Sequence, residues 1–169
     1  VKQWGAPDEP EDDIQADYTY SYTTSAYIVG RVGRIDRQIP GGATLTSELF
    51  GYDGLTWSDP LQKGDLTSVR RYLDRTGEYV TRTMVPDAYG NVVSSTDETG
   101  ITVTTDYDTG FGLFPVATHN AAGDSTTATW DFACGAVLQA TDPNQQSTTS
   151  TYDVLCRPNR TDLPLGGYT

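Results

Sequence analysis

The stretch that decides the fold is WDFACGAVLQATDPNQQSTTSTYD, residues 130–153. It begins and ends with an aromatic residue followed by Asp, and between these pairs lie an apolar segment, an Asp-Pro-Asn turn and a Thr-rich segment. β-branched and aromatic residues at period two are typical of half-buried strands, and Asp, Pro and Asn favour turns. The stretch therefore predicts an antiparallel hairpin.

The same unit recurs outward along the chain. From Asp87 on, successive copies lie 21 to 23 residues apart. The aromatic–Asp residues of all copies are Tyr52, Asp53, Asp87 (a weaker copy), Tyr107, Asp108, Trp130, Asp131, Tyr152 and Asp153. We expect each aromatic ring to cover the neighbouring strand and each Asp to accept backbone N–H groups of the next turn. Because one hairpin cannot bury its inner face, the copies predict hairpins stacked into a continuous sheet.

Three segments carry a family resemblance: TYDVLCRP (residues 151–158), ATDPNQQSTTSTYD (residues 140–153) and DAYGNVVSSTDETG (residues 87–100). They resemble the Rhs or YD-repeat family, named for the motif Tyr-Asp-x-x-Gly-Arg. Cys156 and Gln145 stand where this family usually has Gly. The resemblance extends over about residues 50–165 and is strongest to bacterial toxin-complex shell proteins, with polymorphic toxins in the same family and teneurins more distant.

The resemblance implies an all-β fold of stacked antiparallel hairpins, as a segment of a β-shell or rolled sheet. It implies a non-enzymatic segment of a shell that encloses or delivers a toxin or effector. The implied partners are other β-repeat segments of the same polypeptide, further copies of the chain, or an enclosed toxin domain. The alternative from a different class is a secreted adhesin or filament subunit that binds glycans or partner proteins through a Tyr-rich sheet.

Sequence pattern divides the chain into three parts. Residues 1–17 are an acidic, Pro-containing lead-in that we expect to be poorly ordered, residues 18–50 are strands that flank the repeats, and residues 51–169 are the repeats. Within the repeats, residues 66–73 have apolar spacing that fits a helix or a strand. A hairpin is favoured, because Gly77 suits a left-handed turn position before a β-rich segment.

Composition excludes some classes of partner. The 169 residues carry a formal net charge of −12, which repels phosphate backbones and anionic membranes. No apolar run approaches the ~20 residues that span a bilayer. We therefore expect no nucleic-acid partner and no membrane span, and the Thr-rich stretch without Lys or Arg between Arg82 and Arg157 favours a secreted or extracellular bacterial protein.

The size of the sheet sets a further expectation. About 12 strands at ~4.8 Å spacing give a sheet roughly 58 Å wide, too narrow to enclose a folded domain. The chain also opens on VKQWG without an initiator Met. We therefore expect a processed or excised part of a longer polypeptide, or a chain that associates with others.

The sequence offers little catalytic chemistry. His119 is the sole histidine, and without a nucleophile motif beside it we interpret it as a structural loop residue. The repeat accounts for most Asp positions as turn residues, so we predict no enzyme activity, no cofactor and no metal site. Arg31, Arg34 and Arg37 form a basic cluster that fits an anionic ligand or, in the favoured interpretation, the solubilising charges of a strand or a sheet edge.

Cys134 and Cys156 are the two cysteines, and each lies four residues after the aromatic of its repeat. If equivalent positions were on adjacent strands, their Cα atoms would lie about 4.5–5.5 Å apart, within disulfide range. If each repeat is a two-stranded hairpin, the distance becomes about 9–10 Å, too long for a bond. A disulfide and a pair of small buried thiols therefore both remain open.

Overall fold

The computed structural model describes residues 2–3 and 13–169. Most of the predicted acidic lead-in lies outside these residues. Its last part, from Ile14, belongs to a strand, because Gln15 and Asp17 pair in register with Gln38 and Asp36 of the next strand. The order predicted to begin at residue 18 therefore begins earlier.

The described residues form thirteen strands and no helix, which confirms the all-β prediction. The strands are β1 Lys2–Gln3, β2 Ile14–Thr23, β3 Ile28–Gln38, β4 Thr44–Tyr52, β5 Leu66–Leu73, β6 Glu78–Pro86, β7 Val92–Thr96, β8 Thr102–Tyr107, β9 Pro115–His119, β10 Ser125–Asp131, β11 Ala136–Thr141, β12 Ser147–Tyr152 and β13 Pro158–Asp162. The predicted boundary between residues 50 and 51 lies inside β4.

The chain forms two compact units, and we describe each by itself. The first unit ends at Pro86 and also includes Thr96–Gly100, while the second comprises Asp87–Ser95 and Ile101–Thr169. In both units the strands are antiparallel neighbours in chain order. Such a meander needs only short turns between strands, so its ladders follow from local hairpins.

In the first unit, β5 and β6 form the favoured hairpin rather than a helix. Their register runs from Ser68 opposite Thr83 to Leu73 opposite Glu78. Gly77 closes the turn with a φ of 71°, a left-handed conformation that glycine adopts without steric cost. The β-rich sequence after the turn therefore outweighs the helical spacing before it.

A long loop, residues 53–65, covers one face of the first unit. Small residues on that face allow its backbone to come close: a Cβ added to Gly33 would lie 2.9 Å from the carbonyl oxygen of Trp57, and one added to Gly51 would lie 2.6 Å from that of Leu55. Ser21 lies on the same face and donates its hydroxyl to the Trp57 carbonyl. Among the residues of this unit that the structure describes, the buried apolar side chains are Leu49, Tyr52 and Leu61.

The opposite face of β2 remains open. Tyr18, Tyr20 and Tyr22 alternate with the buried Ser21 and Thr23, and the three tyrosines are 42%, 53% and 64% exposed. The alternation expected from the sequence is present. The loop nevertheless packs on the small hydroxyl residues, since only they leave room for its backbone, and so the aromatic residues face solvent.

The second unit is a sheet with almost no interior. Of its residues, all of which the structure describes, Asp108 alone is buried. The β9–β10 ladder has three register pairs, from Ala117 opposite Thr127 to His119 opposite Ser125. The β11–β12 ladder also has three, beginning at Gln139 opposite Thr149. Contacts other than a buried apolar core must therefore hold this unit together.

Replacing Gly51 by Ala tests how closely the loop packs on the first unit. The added Cβ meets Ser68 Oγ and the Leu55 carbonyl, and such overpacking costs about 1–3 kcal/mol. We expect a lower urea midpoint for Gly51→Ala. Gly110→Ala is the matched control, because its Cβ meets nothing closer than Asp108 Oδ1 at 3.6 Å. Equal midpoints for the two variants would contradict the packing described here.

Candidate functional site

The candidate site is one edge of the second unit, which we call the aromatic–Asp edge. It consists of the four turns at residues 87–91, 108–114, 131–135 and 153–157. Each turn begins with the Asp of a repeat. In three of them this Asp directly follows the aromatic residue, which ends β8 and β12 and lies one residue before the end of β10. The loop after Tyr52 in the first unit is built on the same motif.

Asp108 organises its turn through four backbone N–H groups. Its Oδ1 accepts from Gly110 at 3.1 Å and Phe111 at 2.6 Å, and its Oδ2 accepts from Leu113 at 2.7 Å and Phe114 at 2.9 Å. Hydrogen bonds to the ionised form favour that form. The bonds from Phe114 and Phe111 lower the pKa of Asp108 to about 2.

The other Asp residues of the motif act in the same way. Asp53 accepts the backbone N–H groups of residues 62–65, Asp87 those of Tyr89 and Asn91, Asp131 those of Ala133 and Cys134, and Asp153 those of Leu155 and Arg157. The bonding of these carboxylates to turn amides is thus as expected from the sequence. Burial raises the pKa of Asp53, but its backbone hydrogen bonds outweigh this effect and lower it.

Asp153 also holds a side chain. Its Oδ2 accepts a hydrogen bond of 2.7 Å from Arg157 Nε. The Arg157 side chain is the first cause of the lowered pKa of Asp153, and the Arg157 backbone N–H is the second. This carboxylate therefore stays ionised and bound within its own turn.

In the second unit, Trp130 and Tyr152 join their hairpins to the preceding ones. Trp130 Nε1 donates to the Pro115 carbonyl at 2.8 Å, and Tyr152 Oη donates to the Val137 carbonyl at 3.0 Å. Val137 is the register partner of Trp130, so successive aromatic–Asp repeats are linked in series. Tyr52 Oη donates to the Val32 carbonyl at 2.9 Å in the first unit.

These bonds lie where the strand ladders have ended. The β11–β12 pairs stop at Gln139 and Thr149, and Val137 and Tyr152 lie beyond them towards the aromatic–Asp edge. In the first unit, the β3–β4 pairs stop at Arg34 and Leu49, short of Val32. The aromatic side chain therefore replaces ladder hydrogen bonds at the end of each hairpin.

Each aromatic residue of the motif also lies at a β-bulge. The register shifts occur directly before the residues Tyr52, Tyr107, Trp130 and Tyr152. A bulge bends and twists the strand locally and redirects a side chain. The sequence analysis did not predict these bulges, because they obey no residue rule of their own, although the repeated aromatic–Asp pair marks every one of them.

Cys134 and Cys156 form a disulfide with a Cα–Cα distance of 5.3 Å. The expectation that a two-stranded repeat separates them by 9–10 Å is wrong here. Both residues lie in turns of the aromatic–Asp edge rather than within strands, so the spacing of the ladder does not apply to them. The alternative of two free thiols is not what the structure has.

Two turns of the repeats have a left-handed residue that is not glycine. Gln145 has a φ of 63° and Cys156 a φ of 59°, at the two positions where the resembling family usually has Gly. A non-glycine residue pays about 1–2 kcal/mol in this conformation. These turns therefore keep their geometry although another residue replaces the usual glycine.

The aromatic–Asp edge exposes apolar side chains, each more than half exposed: Tyr89, Phe111, Leu113, Phe132, Val154 and Leu155. Phe114 lies beneath them, with ring centroids 4.8 Å from Trp130 and 5.5 Å from Phe132. Of the turns at the opposite edge of this unit, residues 120–124 and 142–146 carry no large apolar side chain, while residues 163–167 expose Leu163 and Leu165. The turns of the aromatic–Asp edge therefore carry more of the exposed apolar side chains than the turns opposite them.

The remaining sequence candidates take structural positions. His119 ends β9 rather than lying in a loop, and its Nε2 is 3.1 Å from Asp106 Oδ2. Arg34 pairs with Asp36 and Arg37 with Glu48. They lie on β3, as expected for charges on a strand, and this strand has neighbours on both sides, so the cluster is not at a sheet edge.

The described residues hold neither a metal-ion cluster nor a membrane-spanning helix. Among them, no group of three or more His, Cys, Asp or Glu side chains is arranged to hold a metal ion. Nor does that part of the chain contain a helix long and apolar enough to cross a membrane.

These contacts define the class of fold: an all-β sheet of antiparallel hairpins that side-chain hydrogen bonds connect at one edge. No protein-family model and no curated protein sequence matches the chain. Among solved structures, it is similar to a chain of the Photorhabdus luminescens Tc holotoxin pore with a TccC3 mutation, at 18% identity and a TM-score of 0.51, covering 89% of this chain and 9% of that one.

It is also similar to a chain of the TcdB2–TccC3 crystal structure, at 17% identity and a TM-score of 0.51, covering 88% of this chain and 10% of that one. A further match is that complex without its hypervariable C-terminal region, at 18% identity and a TM-score of 0.51. The chain thus spans about a tenth of the length of these proteins. The likeness confirms the fold expected from the YD-repeat motifs.

Deleting a single oxygen atom removes the hydrogen bond between two hairpins. Tyr152→Phe deletes the hydroxyl that donates to the Val137 carbonyl, and the loss of such a bond costs about 0.5–1.5 kcal/mol. We expect urea unfolding to show this decrease in stability. Tyr20→Phe, on the exposed face of β2, is the control and should leave the midpoint unchanged. A Tyr152→Phe midpoint equal to that of the wild type would refute the clamp.

Acid unfolding tests the Asp108 turn. The pKa of Asp108 is lowered from 3.8 to about 2, so its ionised form stabilises the folded state fully above about pH 4. This contribution is lost as the pH falls from about 4 towards 2. We expect Asp108→Asn to lower the urea midpoint at pH 7 and to flatten the dependence of stability on pH in that window.

The matched control is Asp74→Asn, an exposed carboxylate in the turn between β5 and β6. It should leave both the midpoint and the pH dependence close to those of the wild type. Carboxyl carbon chemical shifts recorded by NMR follow Asp108 directly. A titration midpoint for Asp108 near its ordinary value of 3.8 would contradict the hydrogen-bonding described here.

Proposed function

We propose that this chain is a non-enzymatic structural segment of a YD-repeat β-shell that encloses or delivers a toxin or effector. The observation that carries the proposal is the serial clamp. The hairpins β10–β11 and β12–β13 are each bound to the preceding hairpin, by Trp130 and Tyr152 respectively, in a sheet with almost no buried side chains. Such a sheet is lengthened by adding hairpins and needs no larger core, as expected for the wall of a shell.

The state of the acidic residues supports a structural rather than a catalytic role. A general acid or base needs a pKa near the working pH. Asp53, Asp87, Asp108 and Asp153 have pKa values lowered by hydrogen bonds within their own turns. Their carboxylates are thereby held ionised and occupied with backbone amides.

The proposed partners are further β-repeat segments of the same polypeptide or other copies of the chain. Support comes from the extent of the likeness to the Tc toxin chains, of which this chain spans about a tenth. The exposed apolar turns of the aromatic–Asp edge give such partners a surface to contact. The Cys134–Cys156 disulfide supports a location outside the cell, where disulfides persist.

Electron microscopy of the native polypeptide that carries this chain tests the proposal. We expect hollow particles, and an enclosed domain that resists protease until the particle is opened by denaturant. The variant Trp130→Ala/Tyr152→Ala, which removes both inter-hairpin clamps, should yield fewer or broken particles, and Tyr20→Ala should leave them intact. Indefinite fibres, or solid particles without protected content, would overturn a shell function.

A second candidate function is a glycan-binding adhesin or filament subunit. The observation that favours it is the exposed row of Tyr18, Tyr20 and Tyr22 along one face of β2. Aromatic side chains offer flat apolar faces together with a polar hydroxyl, a combination enriched at binding surfaces. Glycan-array binding that is lost in Tyr18→Ala/Tyr20→Ala/Tyr22→Ala and kept in Tyr168→Ala would support it, while the absence of binding by the wild type would exclude it.

A further inference from the structure

Two hairpins of the second unit separate at the aromatic–Asp edge. These are the hairpins β10–β11 and β12–β13. Their only ladder is between β11 and β12, and it ends at Gln139 opposite Thr149. Beyond that pair, towards the edge, the hydrogen bond from Tyr152 to the Val137 carbonyl connects them. This part of the sheet therefore depends on side chains.

The disulfide crosses the same gap. Cys134 lies in the turn of hairpin β10–β11 and Cys156 in the turn of hairpin β12–β13, so the bond joins the two hairpins at their tips. Cys156 is exposed, and Cys134 is half-buried. One of the two sulfur-bearing residues is thus open to a thiol in solution.

We propose that Cys134–Cys156 is a thiol–disulfide exchange site, at which low-molecular-weight thiols such as glutathione release the two hairpins from each other. The proposal does not rest on what the chain encloses or binds. The bond is closed under oxidising conditions and open in a thiol-rich compartment. The contact between hairpins β10–β11 and β12–β13 at their tips is consequently less stable in the thiol-rich compartment.

The chemistry is balanced by two equivalents of thiol. A thiolate attacks the exposed Cys156 sulfur, the bond to Cys134 breaks, and Cys134 leaves as a thiolate that takes up a proton. A second thiolate then attacks the outer sulfur of the mixed disulfide. This step frees Cys156 as a thiol and yields the oxidised disulfide of the reductant, so the protein gains two electrons and two protons.

Opening the bond has structural consequences because little else holds this region. Cys156 keeps a left-handed φ of 59°, which a non-glycine residue adopts only when its surroundings require it. No residue of the two hairpins is buried, so no apolar core compensates for the lost link. Reduction should therefore loosen residues 132–138 and 150–157 while leaving the first unit unchanged.

Hydrogen–deuterium exchange of the full chain, with and without reduced glutathione, tests this. We expect exchange in residues 150–157 to rise about tenfold or more on reduction, with no change in residues 66–86. Alkylation of trapped intermediates should place the glutathione adduct on Cys156 rather than Cys134. Identical exchange in both redox states would overturn the proposal, as would two free thiols in protein purified without reductant.

Two double variants separate the effect of the disulfide from the effect of the left-handed conformation of Cys156. Cys134→Ser/Cys156→Ser should exchange like reduced wild type and be insensitive to glutathione. Cys134→Ser/Cys156→Gly also lacks the bond but relieves the left-handed conformation, so it should exchange more slowly than the Ser/Ser variant. Glutathione-dependent exchange in either variant would mean that the effect does not pass through this disulfide, and would refute the proposal. The comparison of oxidised and reduced wild-type protein does not depend on whether any variant folds.

Discussion

The structure depends on one recurring interaction: a turn whose backbone N–H groups converge on the carboxylate of an Asp. Asp108 receives four of them, and no other residue of the second unit is buried. Without the carboxylate, these amides would lack partners inside a tight turn, where water cannot reach all of them. The geometry of this turn sets the direction in which the chain re-enters the sheet and thereby positions the next strand.

The aromatic residue that precedes the Asp extends this local order to the neighbouring hairpin. Trp130 and Tyr152 reach back to carbonyls beyond the ends of the ladders, at positions where a bulge redirects the side chain. One dipeptide thus closes its own turn and binds the previous repeat. A sheet built in this way needs no buried centre, in keeping with the second unit, where Asp108 is the one buried residue among those that the structure describes.

The first unit uses the same motif for a different purpose. Asp53 accepts the amides of residues 62–65 and thereby folds a long loop back over the sheet. Because Ser21, Gly33 and Gly51 have small or absent side chains, the loop backbone packs directly on the strands. This gives the first unit the small core of Leu49, Tyr52 and Leu61, and it leaves the tyrosines of β2 on the open face.

The sequence by itself determined the strands, the hairpin at residues 66–86 and the role of the Asp residues, because alternation and turn chemistry act over a few neighbouring residues. Only the tertiary structure decided which face of β2 is buried, since that depends on a loop more than thirty residues away in the chain. The bond between Cys134 and Cys156 was decided there as well. It depends on how far adjacent hairpins separate at their tips, a distance that no local pattern encodes.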